Sequence, residues 1–229
     1  MTLLIDNIDK LKDIIEFNPP LSYYKFVCLI RAKDYKGKEM PLSNKEKQEI
    51  MVKQWFVDSQ ESLDEQLPDM LKMTDIFKCR LYMCLDRKST MKTLVQMRNQ
   101  IHNYLDPFLG NDKPSCSVKA INKIPASASS VSESSDKGFR RWLYDCDSLS
   151  PSLEEYVRNN CGRQFYLATF ETKNGYHVVA KREFYGARVI SEIVDYAFEN
   201  NLTKEFLDKQ NRPLVELKEN AMVLVAMGE

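Results

Sequence analysis

Asn174-Gly175 sits between two runs rich in β-branched and aromatic residues, Gln164 to Glu171 and Tyr176 to Lys181. An Asn-Gly pair flanked in this way turns one strand back alongside the next, so the chain commits to an antiparallel pair. Further strands are expected over Tyr23 to Ile30, Cys79 to Asp86, Arg140 to Asp147, Pro213 to Leu217 and Ala221 to Met227. The first of these follows a Pro19-Pro20 break.

Helical spacing alternates with these strands. Ser43 leads into a charged stretch in which Ile50, Met51, Trp55 and Phe56 are helically spaced, and Leu63 to Phe77 gives a second pattern broken by Pro68. Ser89 is a cap for a third, reaching about Leu105 with Leu94, Met97, Ile101 and Leu105 on one face. Ser152 caps a short helix from about Leu153, Ala187 to Glu199 is apolar at Val189, Ile190, Ile193, Val194 and Phe198, and Thr203 to Lys209 is short and helical. The expected class is α+β: one mixed or antiparallel sheet covered by helices, with an amino-terminal helical appendage. Residues 1–110 form an amino-terminal α+β region and 139–229 a second region packing on it as one globular unit. Between them, 111–138 reads as a flexible Ser-rich loop or linker, because Ala126 to Asp136 holds too few large apolar groups to offset chain entropy.

Composition excludes several classes. With 43% hydrophobic residues over 229 positions the chain can fill a core and is not disordered as a whole. Basic and acidic residues number 33 each, so no long-range positive field draws it onto nucleic acid, and any such contact must be local. No apolar run of about 18 residues offers a membrane span, so a soluble protein is expected. The opening Met1 to Lys10 has no export-signal pattern, and the expected compartment is the cytoplasm. The six cysteines are then reduced thiols, and the Cys79 and Cys84 spacing does not suit a zinc knuckle.

Two clusters have chemistry to offer. Asp145 and Asp147 lie two apart at the end of an apolar strand, so their carboxylates share a face while Tyr144 and Cys146 take the other. Such a pair can hold Mg²⁺ or Mn²⁺, or be no more than a strand end and capping turn. In the hairpin, Thr172, Lys173 and the N–H groups of Asn174-Gly175 can surround a phosphate, with His177 donating from the following strand. The plainer alternative is a hairpin with a satisfied histidine.

Together, Leu143-Tyr144-Asp145-Cys146-Asp147 and, about thirty residues on, Thr172-Lys173-Asn174-Gly175-Tyr176-His177 resemble the archaeo-eukaryotic primase superfamily, which includes the primase-polymerases of viruses and plasmids. The resemblance covers about the last ninety residues. It implies that Asp145 and Asp147 bind catalytic Mg²⁺ or Mn²⁺, and that Thr172, Lys173, Asn174, Gly175 and His177 hold the phosphates of a nucleoside triphosphate. The family's third acidic residue, an aspartate, has Glu216 as its counterpart here, or the helical Asp195. The implied activity is metal-dependent nucleotidyl transfer of primase-polymerase type on nucleoside triphosphates and nucleic acid, DNA or RNA, in DNA replication. Two alternatives remain open: a metal-dependent phosphodiesterase, and a catalytically inert viral or plasmid regulatory protein docking on a replication-protein partner.

Other positions read more plainly. Arg80 and Arg87 are expected as solvated surface arginines, with contact to phosphate or template as the alternative. His102 reads as a cap or surface residue, Tyr23, Tyr24, Trp142 and Tyr144 as core aromatics, and Cys146 and Cys161 lack a nearby histidine to make a thiolate nucleophile.

Overall fold

A computed structural model of the chain describes residues 3–35, 49–109, 121–182 and 186–228. Ser43 and Cys116 lie outside these residues. The fold is α+β, and among the described residues every strand pairing is antiparallel. In chain order the first elements are β1 (Leu3–Asp6), β2 (Ser22–Arg31), β3 (Glu49–Val57), α1 (Gln60–Phe77), β4 (Arg80–Cys84), β5 (Lys88–Ser89), α2 (Thr90–Leu109) and α3 (Ile124–Ser130). They are followed by β6 (Arg141–Cys146), α4 (Pro151–Asn160), β7 (Tyr166–Glu171), β8 (Tyr176–Lys181), α5 (Arg188–Glu199), α6 (Thr203–Phe206), β9 (Val215–Lys218) and β10 (Met222–Gly228).

The described residues form two sheets rather than the single one expected. The larger runs β1-β10-β4-β2-β3 with β5 paired to β2, and the smaller runs β7-β8-β6-β9. The amino-terminal region is therefore no helical appendage, because it supplies most of the larger sheet. Its strand β2 is buried on both faces: Tyr24, Phe26, Cys28 and Ile30 pack with Leu63 and Met70 of α1, while Val27 and Leu29 meet Tyr82 and Leu224. The smaller sheet follows the order β-α-β-β-α-β with its first and third strands in the centre, the interleaved ferredoxin-like arrangement. One of its faces packs on α4, α5 and α6 through Tyr144, Cys146, Val178 and Ile193; the other sends Leu143, Phe170 and Val179 into the core of the larger sheet. Strand β10 sits between β1 and β4 in the larger sheet.

Residues 49–57 are a strand, against the helical spacing of Ile50, Met51, Trp55 and Phe56. Ile30 faces Ile50 and Leu29 faces Met51, but Cys28 faces Lys53, so Val52 is one extra residue on β3. A bulge shifts the alternation by one. Ile50, Trp55 and Val57 thereby share the core face, and an interrupted period of two imitates a helical period. Pro68 does not break α1, which is continuous. Its ring lies on the exposed side, where the carbonyl it frees can meet water, while Leu63, Met70 and Thr74 hold the buried side.

Helix α2 begins as expected, with the Lys92 N–H donating to Ser89 Oγ at 3.4 Å. Its expected apolar face is not core: Leu94 and Ile101 are exposed, and the side chain of Leu105 lies outside the described residues. The segment Ala126 to Asp136 is helix α3 followed by a 3₁₀ turn at Ser132–Ser134, with Ser129, Ser134 and Ser135 buried. Its serines satisfy buried lysines in place of a hydrophobic core: Lys25 donates to Ser130 Oγ (2.7 Å) and Lys88 to Ser135 Oγ (2.9 Å). Among the described residues, no helix is long and apolar enough to cross a membrane.

Candidate functional site

The two sheets leave a cleft of about 520 Å³ between them. Arg31, Arg80, Tyr82 and Leu224 line it from the larger sheet, and Asp145, His177, Glu216 and Lys218 from the smaller. The cross-strand register brings the second group together. Asp145 lies opposite His177 on β8 and opposite Glu216 on β9, so three functional side chains from distant parts of the sequence form one row across the sheet. Asp147 also lines the cleft, its N–H donating to Leu214 O at 2.8 Å.

The hairpin turn forms one wall through Thr172, Lys173 and Asn174. Its Thr172 N–H donates to Gly175 O at 2.9 Å, and neither Asn174 nor Gly175 takes a positive φ. Gly175 is not among the residues lining the cleft. A Cβ there would stand 1.9 Å from Cys146 O and 2.8 Å from Ser148 N, so the missing side chain lets the hairpin press against the end of β6 that bears the Asp145 and Asp147 carboxylates. Asp195 lines a separate depression with Glu155, Tyr156 and Glu192 and does not reach the cleft. Of the two candidates for a third carboxylate, only Glu216 is in place.

His177 connects the sheets. Its Nδ1 accepts from the Leu224 N–H on β10 at 3.5 Å, and its Nε2 lies 3.4 Å from Asp145 Oδ1. A ring that accepts at Nδ1 presents its Nε2 N–H towards Asp145. The other oxygen, Asp145 Oδ2, accepts from Lys218 Nζ at 2.6 Å, and that ammonium also stands 3.0 Å from Glu216 Oε2. Burial alone would lift the Asp145 carboxyl, but His177 and Lys218 outweigh it and hold it well below the usual carboxylate range. For Lys218, burial pulls down while Asp145 and Glu216 pull harder upward, so it stays charged.

On the facing sheet, Arg80 is buried rather than solvated. It makes a forked pair with Asp34, Nε to Oδ2 at 2.8 Å and Nη2 to Oδ1 at 2.6 Å, and donates to Tyr82 Oη at 3.3 Å. Lys173 reaches across from the hairpin to within 3.6 Å of Asp34 Oδ1. Burial would raise the Asp34 carboxyl; Arg80 and then Lys173 lower it below its ordinary value. Arg87 is also buried but lies elsewhere, donating to Asp136 and Glu16 O and stacking on Phe139. The thiols of Cys146 and Cys161 are pushed up by burial, Cys161 to about 11, which makes neither a nucleophile at neutral pH.

A divalent ion needs anionic oxygens converging on one point. Here the Asp145 oxygens are directed at Lys218 and His177, and Glu216 also faces Lys218. Among the described residues, no group of three or more His, Cys, Asp or Glu side chains could hold a metal. Mg²⁺ or Mn²⁺ does not fit this arrangement, because an ammonium occupies the position between the carboxylates. Lys218, Arg31 and Asp34 are the site residues that sequence reasoning passed over. Lys218 had a signal: Glu216-x-Lys218 on a strand repeats the spacing of Asp145-x-Asp147, so its side chain had to share the Glu216 face.

No protein-family model, curated protein or solved structure matches the chain.

Proposed function

We propose that this chain is a nucleotide-binding protein of primase-polymerase type, taking a nucleoside triphosphate into the cleft between its sheets. The observation that carries this reading is the convergence of Asp145, Asp147, Glu216, Thr172, Lys173, Asn174 and His177 on one cleft. Triphosphate recognition needs cations and hydroxyl or amide donors at short range. Thr172, Lys173 and Asn174 supply them at the hairpin, and Arg31 and Arg80 face them from the other sheet. Lys173 is half-exposed and only loosely held by Asp34, so it can exchange that carboxylate for a phosphate.

Nucleotidyl transfer is the reaction that this layout would serve, with DNA or RNA and a replication protein as the partners in keeping with it. A phosphodiesterase would use the same carboxylates. Both reactions call for Lys218 to leave them. The ammonium between Asp145 and Glu216 favours the second reading, a primase-like protein that binds nucleotide without chemistry. Fluorescence anisotropy with a labelled nucleoside triphosphate tests the binding, which should be saturable, competed by ATP and weakened in Lys173→Ala. Primer extension with Mn²⁺ then separates transfer from binding alone: incorporation that Asp145→Ala abolishes would favour the enzyme. Absence of saturable binding would defeat the proposal.

A further inference from the structure

The acidic pair at the centre of the cleft already has its cation. Lys218 Nζ lies 2.6 Å from Asp145 Oδ2 and 3.0 Å from Glu216 Oε2, distances of direct charge-assisted hydrogen bonds. The position is fixed by the sheet rather than by a loop. Leu143 pairs with Lys218 and Asp145 with Glu216, so the lysine stem rises one pleat along from the two carboxylates and its head bends between them. The second oxygen of Asp145 is directed at His177, whose ring is held by the Leu224 N–H of the other sheet.

We infer that Lys218 is a built-in cation that takes the place of a divalent metal ion on Asp145 and Glu216 and bars such an ion from the cleft. A single ammonium has one charge and three donors, enough to bond both the largely buried Asp145 carboxylate and the exposed Glu216 carboxylate. A divalent ion would have to come within about 2.1 Å of the same oxygens, and the two cations cannot share them. This deepens the nucleotide-binding reading of the same site, making that binding independent of a metal on Asp145.

Titration of Mn²⁺ alone, followed by calorimetry and by the loss of its free-ion paramagnetic signal, tests the inference without any nucleotide. The wild type should show no saturable Mn²⁺ site. Lys218→Ala should gain one, binding about ten-fold or more tightly than any residual wild-type binding, and Lys218→Ala/Asp145→Asn should lose it again. Lys218→Gln removes the charge while keeping a donor, and gives the same gain should the alanine variant fail to fold. Saturable Mn²⁺ binding by the wild type that Asp145→Asn removes would overturn the inference, as would folded Lys218 variants that bind no better than wild type. Failure of ATP to bind would defeat the nucleotide reading and leave the Mn²⁺ result to decide Lys218.

Discussion

Replacing Gly175 with alanine tests whether the hairpin and the carboxylate strand are one construction. The added Cβ would stand 1.9 Å from Cys146 O, whereas real contacts essentially never fall below 3.0 Å. The obstacle is backbone, and Ser148 N and O at 2.8 and 2.9 Å close the way out, so no side-chain rotation relieves it. The turn and the β6 end must separate by roughly 1 Å, which places the cost near the upper end of overpacking, ~3 kcal/mol. For a chain of this size that lowers the melting temperature by roughly 6–12 °C. The same displacement pulls Thr172, Lys173 and Asn174 away from Asp145 and Asp147, so nucleotide affinity should fall in the protein that stays folded. Thermal unfolding with urea titration measures the first effect and anisotropy the second. A Gly175→Ala protein melting within about 1 °C of wild type would refute the close-approach argument.

Asp34→Ala should destabilise by roughly 3–5 kcal/mol, the cost of leaving the buried Arg80 guanidinium unpaired, read from urea unfolding. A loss below about 1 kcal/mol would mean that Arg80 finds another partner. Because the Asp145 carboxyl is depressed in the folded state, it adds stability that is fully present above the unfolded value near pH 4 and is lost as pH falls through the folded one. Asp145→Asn should therefore be less stable than wild type at neutral pH, with the gap narrowing below about pH 4. A difference that does not change with pH would contradict the ion-pair account.

The smaller sheet was the most legible part of the molecule. Strands β6, β8 and β9 pair without a bulge and the helix over Arg188–Glu199 has an intact apolar stripe, while Asn174-Gly175 marks the hairpin. The hairpin forms for a different local reason, close approach at Gly175 and not a left-handed turn. The larger sheet was harder to read because its signals are non-local. The extra Val52 disguises β3, and β2 pairs with β3 and β4 through contacts that no window of sequence displays. The serine-rich stretch looked structureless because its packing rests on hydrogen bonds to Lys25 and Lys88, which hydrophobicity does not record.

Within the site, spacing showed that Asp145 and Asp147 share a face, and the register then chose Glu216 over Asp195. What spacing could not show is the Lys218 contact, since it depends on which residue of β9 lies beside Asp145. Nor could it show Asp34 meeting Arg80, a pairing across elements with no sequence period.

Occupation of the cleft between the sheets by nucleotide is open to direct measurement. Calorimetric titration of ATP into wild type, Lys173→Ala and Asp195→Ala tests it most directly. A single site is expected in the wild type, about ten-fold weaker in Lys173→Ala and unchanged in Asp195→Ala, whose side chain lies in the other depression. No binding heat in the wild type, or binding lost through Asp195 and untouched by Lys173, would contradict it.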